Sequence, residues 1–206
     1  MTLAWQESLF GDDQGSDGAL SFSGVRRRAL DARCWLDLAS GWLPGHGDLF
    51  DELHASAPWQ QRERRMWDKD VLEPRLVAAW SGDDLAALPE RLAEIRSGVS
   101  DRYRVDFDSV LVNLYRDGRD GVAWHGDTVR KTLPEAVVVT VGLGERRRFL
   151  LRPGTSGPPT VRLETGHGDL VVMRGETQRY WEHRVPKDPR VHNQRLNLTF
   201  RQHEAR

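Results

Sequence analysis

A mainly β chain (α+β), with helices near its start and a jelly-roll core, is what the sequence predicts. Three observations lead there. From Val105 onward, apolar residues fall in short runs at 106–115, 122–126, 136–142, 147–151, 160–164, 169–173, 180–185 and 194–202. Gly- and Pro-rich turns separate them, notably 152–159 and 165–169. Many short strands with punctuated turns indicate a sandwich or barrel, and a jelly roll fits best because its open end can hold a ligand site. Upstream, Pro89 starts a stretch with Leu92, Ile95 and Val99 at helical spacing. Finally, 206 residues suit one compact domain with a sizeable core.

Taken in order, residues 1–24 read as a flexible acidic lead-in, rich in Gly, Ser and Asp from Gly11 to Gly24. Trp5 and the Leu9-Phe10 pair could dock back onto the body. Residues 25–104 form an N-terminal extension with a lid. Within it, Ala29–Leu43 alternates loosely around Leu30, Cys34, Leu36 and Leu38, then turns at Pro44-Gly45. Asp48 is placed to cap a short helix carrying Leu49, Phe50 and Leu53 inward. Pro58–Trp80 is the lid candidate, with Trp59, Trp67 and Trp80 among Arg62, Arg64, Arg65 and Arg75. Arginine interleaved with aromatics suits single-stranded nucleic acid, although internal packing is expected of at least two of these tryptophans. Residues 105–206 form the jelly-roll core.

The net charge of −1 is unevenly spread. Residues 1–24 carry four carboxylates and no Lys or Arg, so the remainder is +3. Arginines cluster at 26–28, at 62, 64 and 65, and at 146–148 with Arg152. Such patches permit phosphate contacts but would equally form a mixed surface with the carboxylates. No apolar run approaches the roughly 20 residues that span a bilayer, and no signal-peptide pattern opens the chain. A membrane is therefore not expected as a partner. The one cysteine, Cys34, reads as a small buried apolar residue and suits a reducing cytoplasm. A monomer is expected.

His125-Gly126-Asp127 is the first candidate site. In a strand, residues i and i+2 share a face, so His125 and Asp127 could grip one ion. His183, at the end of a later apolar run, would complete a group of two histidines and one carboxylate. That facial triad is the usual mark of non-haem Fe(II) oxygenases. Downstream, Arg195-Leu196-Asn197-Leu198-Thr199-Phe200-Arg201 alternates polar and apolar residues. Alone, it reads as well as an edge strand with solvated arginines. Beside a triad, two guanidiniums and an asparagine on one face are better explained as a site for 2-oxoglutarate. His167 lies between glycines and reads as a tight turn. His46, His54, His192 and His203 take no ligand assignment.

These residues also carry a family resemblance. In order they are Pro74-Arg75-Leu76, Asn113-Leu114-Tyr115, Trp124-His125-Gly126-Asp127, Gly142-Leu143-Gly144 ahead of Arg147 and Phe149, Gly168-Asp169-Leu170, Trp181-Glu182-His183, and the final RLNLTFR. Over about residues 25 to 203 the chain resembles AlkB-type Fe(II)/2-oxoglutarate-dependent dioxygenases. The resemblance implies a double-stranded β-helix with His125, Asp127 and His183 as iron ligands. It implies that Asn113, Tyr115, Arg195, Asn197 and Arg201 hold 2-oxoglutarate, with Arg195 on the distal carboxylate and Arg201 at the iron-chelating end. It further implies oxidative dealkylation of N-alkylated bases in DNA or RNA, single-stranded or flipped, consuming molecular oxygen and releasing formaldehyde, succinate and CO2. The same chemistry on a protein or small molecule is the alternative. Trp59, Trp67, Arg75, Trp124 and Arg147 are candidate substrate contacts, Trp124 as pocket wall or core. The chain departs from the pattern at Val129, where DNA-repair members carry an acidic residue. It departs again at Ser81-Gly82-Asp83-Asp84, where an aromatic pair is common.

Overall fold

The computed structural model describes residues 18–66, 69–129, 132–133, 135–154 and 156–203. Thirteen strands occur among them: β1 (Arg26–Ala29), β2 (Cys34–Ala39), β3 (Glu63–Met66), β4 (Lys69–Leu72), β5 (Leu76–Ser81), β6 (Ser109–Tyr115), β7 (Val122–His125), β8 (Val138–Gly144), β9 (Arg147–Pro153), β10 (Val161–Thr165), β11 (Leu170–Gly175), β12 (Trp181–Val185) and β13 (Arg195–Arg201). Helices α1 (His46–Ser56), α2 (Glu90–Tyr103) and the single turn α3 (Thr177–Tyr180) complete the list, with a 3-10 turn at Gly82–Ala87.

The strands form a seven-stranded sheet in the order β1-β2-β11-β8-β13-β6-β5 and a four-stranded sheet in the order β10-β9-β12-β7. A separate β3-β4 hairpin lies within the expected lid. All strand pairings among the described residues are antiparallel. This is the jelly roll expected from the strand-and-turn texture.

Two apolar clusters follow from the two-residue period of the strands. On β8, Val139, Val141 and Leu143 join a cluster with Leu49 and Leu53 of α1 and Leu92, Ile95 and Val99 of α2. Val138, one residue away, joins the other cluster, with Met173 of β11 and Phe149, Leu151 and Trp181 from the smaller sheet. Helices thus cover one face of the large sheet, and the small sheet covers the other. The first cluster draws residues from both sides of position 105, so the N-terminal extension and the barrel share a core.

Several expectations shift in detail. Residues 1–17, including Trp5, Leu9 and Phe10, lie outside the described residues. The end of the expected lead-in is packed: Leu20 and Phe22 rest against the first cluster, and Phe22 meets Trp42 with ring centroids 5.3 Å apart. Leu20 lies over Gly98 of α2, where an added Cβ would stand 2.6 Å from its Cδ1. Asp48 does not cap α1. Gly45, at φ 63°, takes the N-cap position without a side-chain bond, while Asp48 sits in the first turn. There its charge complements the helix dipole. Among the described residues, no helix is long and apolar enough to cross a membrane.

Cys34 is buried, as expected, and burial together with a hydrogen bond to Asp31 pushes its thiol up to about 11. At pH 8 it should stay protonated, so a thiol reagent should label the folded protein slowly and the urea-unfolded protein fast. Equal rates would contradict this placement. Ile95 is 0% exposed at the centre of the α2 stripe. Ile95→Ala should lower the unfolding free energy by about 2–5 kcal/mol in urea titration; a loss below 1 kcal/mol would show that the site collapses around the gap.

Candidate metal and 2-oxoglutarate site

The site is assembled by the inward faces of paired strands. In the β6–β13 ladder, Asn113 stands opposite Asn197, Leu111 opposite Thr199 and Tyr115 opposite Arg195. Each strand sends its alternate residues, Val110, Val112 and Leu114 or Leu196, Leu198 and Phe200, into the helix-covered core. The polar set is thereby forced to the barrel side. From the small sheet, β7 and β12 pair so that His125 faces His183, with ring centroids 4.3 Å apart.

β7 ends at His125, so Asp127 is not its strand neighbour. Instead it is held just beyond the strand by a backbone N–H bond of 2.8 Å to Gln178 Oε1. The ligand atoms of His125, Asp127 and His183 lie within 4.8 Å of one another. His125 Nδ1 is 2.9 Å from the Ala123 carbonyl, which can only accept, so Nδ1 carries the proton and Nε2 keeps its lone pair. A hydrogen bond of this kind fixes the tautomer of a metal-binding histidine.

Electrostatics reinforce the arrangement. Burial lowers His183 to about 4, so its imidazole is neutral at pH 7. Burial works against the Asp127 carboxylate, but its electrostatic interactions with His183, Arg201 and His125 and the Arg201 hydrogen bond outweigh it and hold the group below the usual carboxylate range. Arg201 Nη1 is 3.1 Å from Asp127 Oδ1. The other oxygen, Oδ2, is buried without a hydrogen-bond partner. Two imidazoles and a carboxylate with an unspent buried oxygen fit a divalent transition metal.

A cavity of about 160 Å³ joins this group to the polar faces of β6 and β13. It lies below the roughly 300–1,000 Å³ of drug-sized pockets, which suits a small ligand. Asn113, Tyr115, Asn197 and Arg201 all line it, as does Arg75. Arg195 lies behind this lining. It is 1% exposed, and its guanidinium donates to the carbonyls of Glu145 and Thr165 and to Thr165 Oγ1. Its Nε–H is buried without a partner, and burial pushes its pKa down to about 10, leaving it charged at neutral pH. Gly142 makes the room: a Cβ there would meet Arg195 Nη2 at 2.6 Å.

Other candidates fall elsewhere. Trp59 packs against the first core cluster, and its indole donates to the His54 carbonyl. Trp124 points to the opposite face of β7 from His125, between the guanidiniums of Arg152 and Arg184 at 4.4 and 4.6 Å. Arg147 is 2% exposed and donates to the carbonyls of Asp117, Asp120 and Pro186, so it clamps two loops and does not face the cavity. Trp67 lies outside the described residues. Val129 packs toward the second apolar cluster, while Thr128 lines the cavity. Thr140 and Phe149, to which the sequence gave no site role, also line it, together with Arg62 of the lid candidate and Thr199 of the polar face of the last strand. Thr199 was legible from the alternation of the last strand. Phe149, stacked 5.2 Å from His183, had only its place in the motif set.

A double-stranded β-helix holding a His-Asp-His group at a polar cavity defines an oxygenase class of site. The sequence matches the 2OG-Fe(II) oxygenase superfamily over residues 51–201, and the chain belongs to that family. Fe(II) and 2-oxoglutarate are its cofactors. Similar proteins include the alpha-ketoglutarate-dependent dioxygenase alkB homolog 3 of Bos taurus, 32% identical over 187 aligned positions that cover 77% of this chain and 64% of the relative. Another is the DNA oxidative demethylase ALKBH2 of Arabidopsis thaliana, 33% identical, with coverage of 74% and 60%. The chain therefore spans less than two thirds of the length of these relatives. A solved structure of OsALKBH1 superposes with a TM-score of 0.60 at 16% identity, covering 86% of this chain and 100% of that one, which supports the fold.

Replacing Arg147 by Met should lower the unfolding free energy by about 2–4 kcal/mol, because one buried and two part-buried carbonyls lose their donor. Unchanged stability with weaker oligonucleotide binding would instead return Arg147 to a substrate surface.

Proposed function

We propose that this chain is an Fe(II)/2-oxoglutarate-dependent dioxygenase that removes N-alkyl groups from nucleobases in DNA or RNA. The observation that carries the reading is the convergence, in one small cavity, of the His125–Asp127–His183 group with the polar faces of β6 and β13. The name of the ALKBH2 relatives, DNA oxidative demethylase, points to DNA as the polymer.

In this reading His125, Asp127 and His183 hold the metal, and Asn113, Tyr115, Arg195, Asn197 and Arg201 hold the cosubstrate. Two features support the arginine roles. Arg201, in the cavity lining, keeps a buried Nε–H without a partner that a carboxylate would satisfy, and Arg195, behind the lining, keeps another together with its positive charge. The contact of Arg201 with Asp127 supports a role for it at the end of the cosubstrate nearest the metal. When bound, Fe(II) with 2-oxoglutarate and molecular oxygen supplies the oxidising power, and the cosubstrate leaves as succinate and CO2. Hydroxylation of an N-methyl group gives a hemiaminal whose C–N bond breaks: its electron pair stays on the base nitrogen, the hydroxyl gives up its proton, and formaldehyde leaves.

The protein's part is to orient and shield. His125 is held by its Ala123 bond, Asp127 by Gln178 and Arg201, and His183 by burial against Phe149. Residues 25–104 would supply the extension and lid, and 105–206 the catalytic core. The β3–β4 hairpin is the proposed nucleotide-recognition lid, with Val71 and Leu72 exposed on it and Arg62 reaching the cavity. A monomer in the cytoplasm, with Cys34 reduced, completes the proposal.

The test is a single-stranded oligonucleotide carrying 3-methylcytosine or 1-methyladenine, incubated with Fe(II), ascorbate and 2-oxoglutarate. Formaldehyde should appear in step with succinate, and His183→Ala should give neither above background. Succinate without formaldehyde would move the substrate to a protein or small molecule. No succinate from folded, metal-loaded protein would sink the oxygenase reading.

A further inference from the structure

Arg75 has a more specific task than contact with a base. We propose that it is a positioning residue: it sets the Asn113 amide for the cosubstrate and, through Glu73, ties the root of the β3–β4 hairpin to that amide. The proposal rests on reading the cavity as the 2-oxoglutarate site.

The geometry is a short chain of contacts. Arg75 Nε donates to Asn113 Oδ1 at 2.8 Å, and its Nη2 lies 2.9 Å from Glu73 Oε2. The Arg75 and Glu73 side chains are only 16% and 19% exposed, so water screens this pair less than a surface bridge. Glu73 follows the last residue of β4, and its N–H bonds the Arg62 carbonyl, closing the open end of the hairpin. Gln61 Nε2 donates to the Glu73 carbonyl. The Pro74 carbonyl accepts from the Gly121 N–H, so the turn is fastened to the body on its other side.

The chemical consequence lies in the polarity of the amide. A guanidinium has donors and no acceptor, so the atom of Asn113 that faces it must be the oxygen. Asn113 is 6% exposed and lines the cavity, which leaves its Nδ2–H groups to serve a bound ligand. That is the polarity a carboxylate needs. Without Arg75 the amide can turn over and present its oxygen to the anion. Because Arg75 is braced by the hairpin's root, a lid displacement that moves Glu73 would loosen the same amide. Coupling of this kind is reciprocal: filling the cavity would steady the lid root.

The experiment is calorimetric binding of 2-oxoglutarate to Mn(II)-loaded protein without nucleic acid, so that no turnover is involved. Arg75→Gln should bind on the order of tenfold more weakly than wild type, the loss expected for one buried charge-assisted hydrogen bond. Glu73→Gln should shift affinity in the same direction by a smaller factor. Combining Arg75→Gln with Asn113→Ala should add little to Asn113→Ala alone, because the two act through one group. Thermal unfolding of each variant separates these effects from misfolding.

Wild-type 2-oxoglutarate affinity in Arg75→Gln with weakened oligonucleotide affinity would overturn the proposal and make Arg75 a substrate contact. Fully additive losses would also overturn it. If wild type binds 2-oxoglutarate with this variant pattern but releases no formaldehyde from any alkylated oligonucleotide, the nucleobase reading fails and the positioning role stands. If wild type binds no 2-oxoglutarate, both fall.

Discussion

The pairing of β6 with β13 is the constraint on which the rest depends. Each strand must satisfy two environments at once, a dry helix-covered core on one side and a polar cavity on the other. The two-residue period permits this only in one register, since a slip of one residue would send Asn197, Thr199 and Arg201 into the apolar cluster. Burying even one of those groups without partners would cost several kcal/mol, comparable to much of a domain's net stability. The cavity's composition is therefore locked to the stability of the sheet.

That locking explains which parts were legible in the sequence. The barrel strands appear within a few residues of where the apolar runs place them, because alternation and glycine turns act locally. The iron-type ligand set and the alternating final strand were visible for the same reason. Strand β5 was read only as the end of the lid candidate, and β1, β3 and β4 were not foreseen at all. Their sequences, RRRA, ERRM and KDVL, carry too little apolar alternation to reveal a strand, and they depend on pairing partners elsewhere. Trp124 was a different failure. Adjacency to His125 suggested a pocket wall, but neighbouring residues on a strand face opposite ways, and that rule was available from the sequence.

The arginines mark the limit of local reading. Arg147, Arg195, Arg75 and Arg201 look alike in sequence, yet one clamps loops, one backs the cavity, one faces an amide and one faces the aspartate. A guanidinium's task is set by which acceptors the fold brings within reach, often from segments far away in the chain. Arg195 illustrates this, because its position depends on the missing side chain at Gly142 as much as on its own strand.

Gly98 carries a similar lesson for the start of the chain. Glycine inside a helix costs about 1 kcal/mol relative to alanine, yet α2 accepts one in the slot filled by Leu20. The helix gives up intrinsic propensity to gain a socket, and the preceding segment supplies the plug. A chain begun after residue 24 would present that empty socket, beside the uncovered rings of Trp42 and Tyr103, as a sticky surface. Leu20 and Phe22 thus seal an apolar face of the core, independent of any part they take in chemistry.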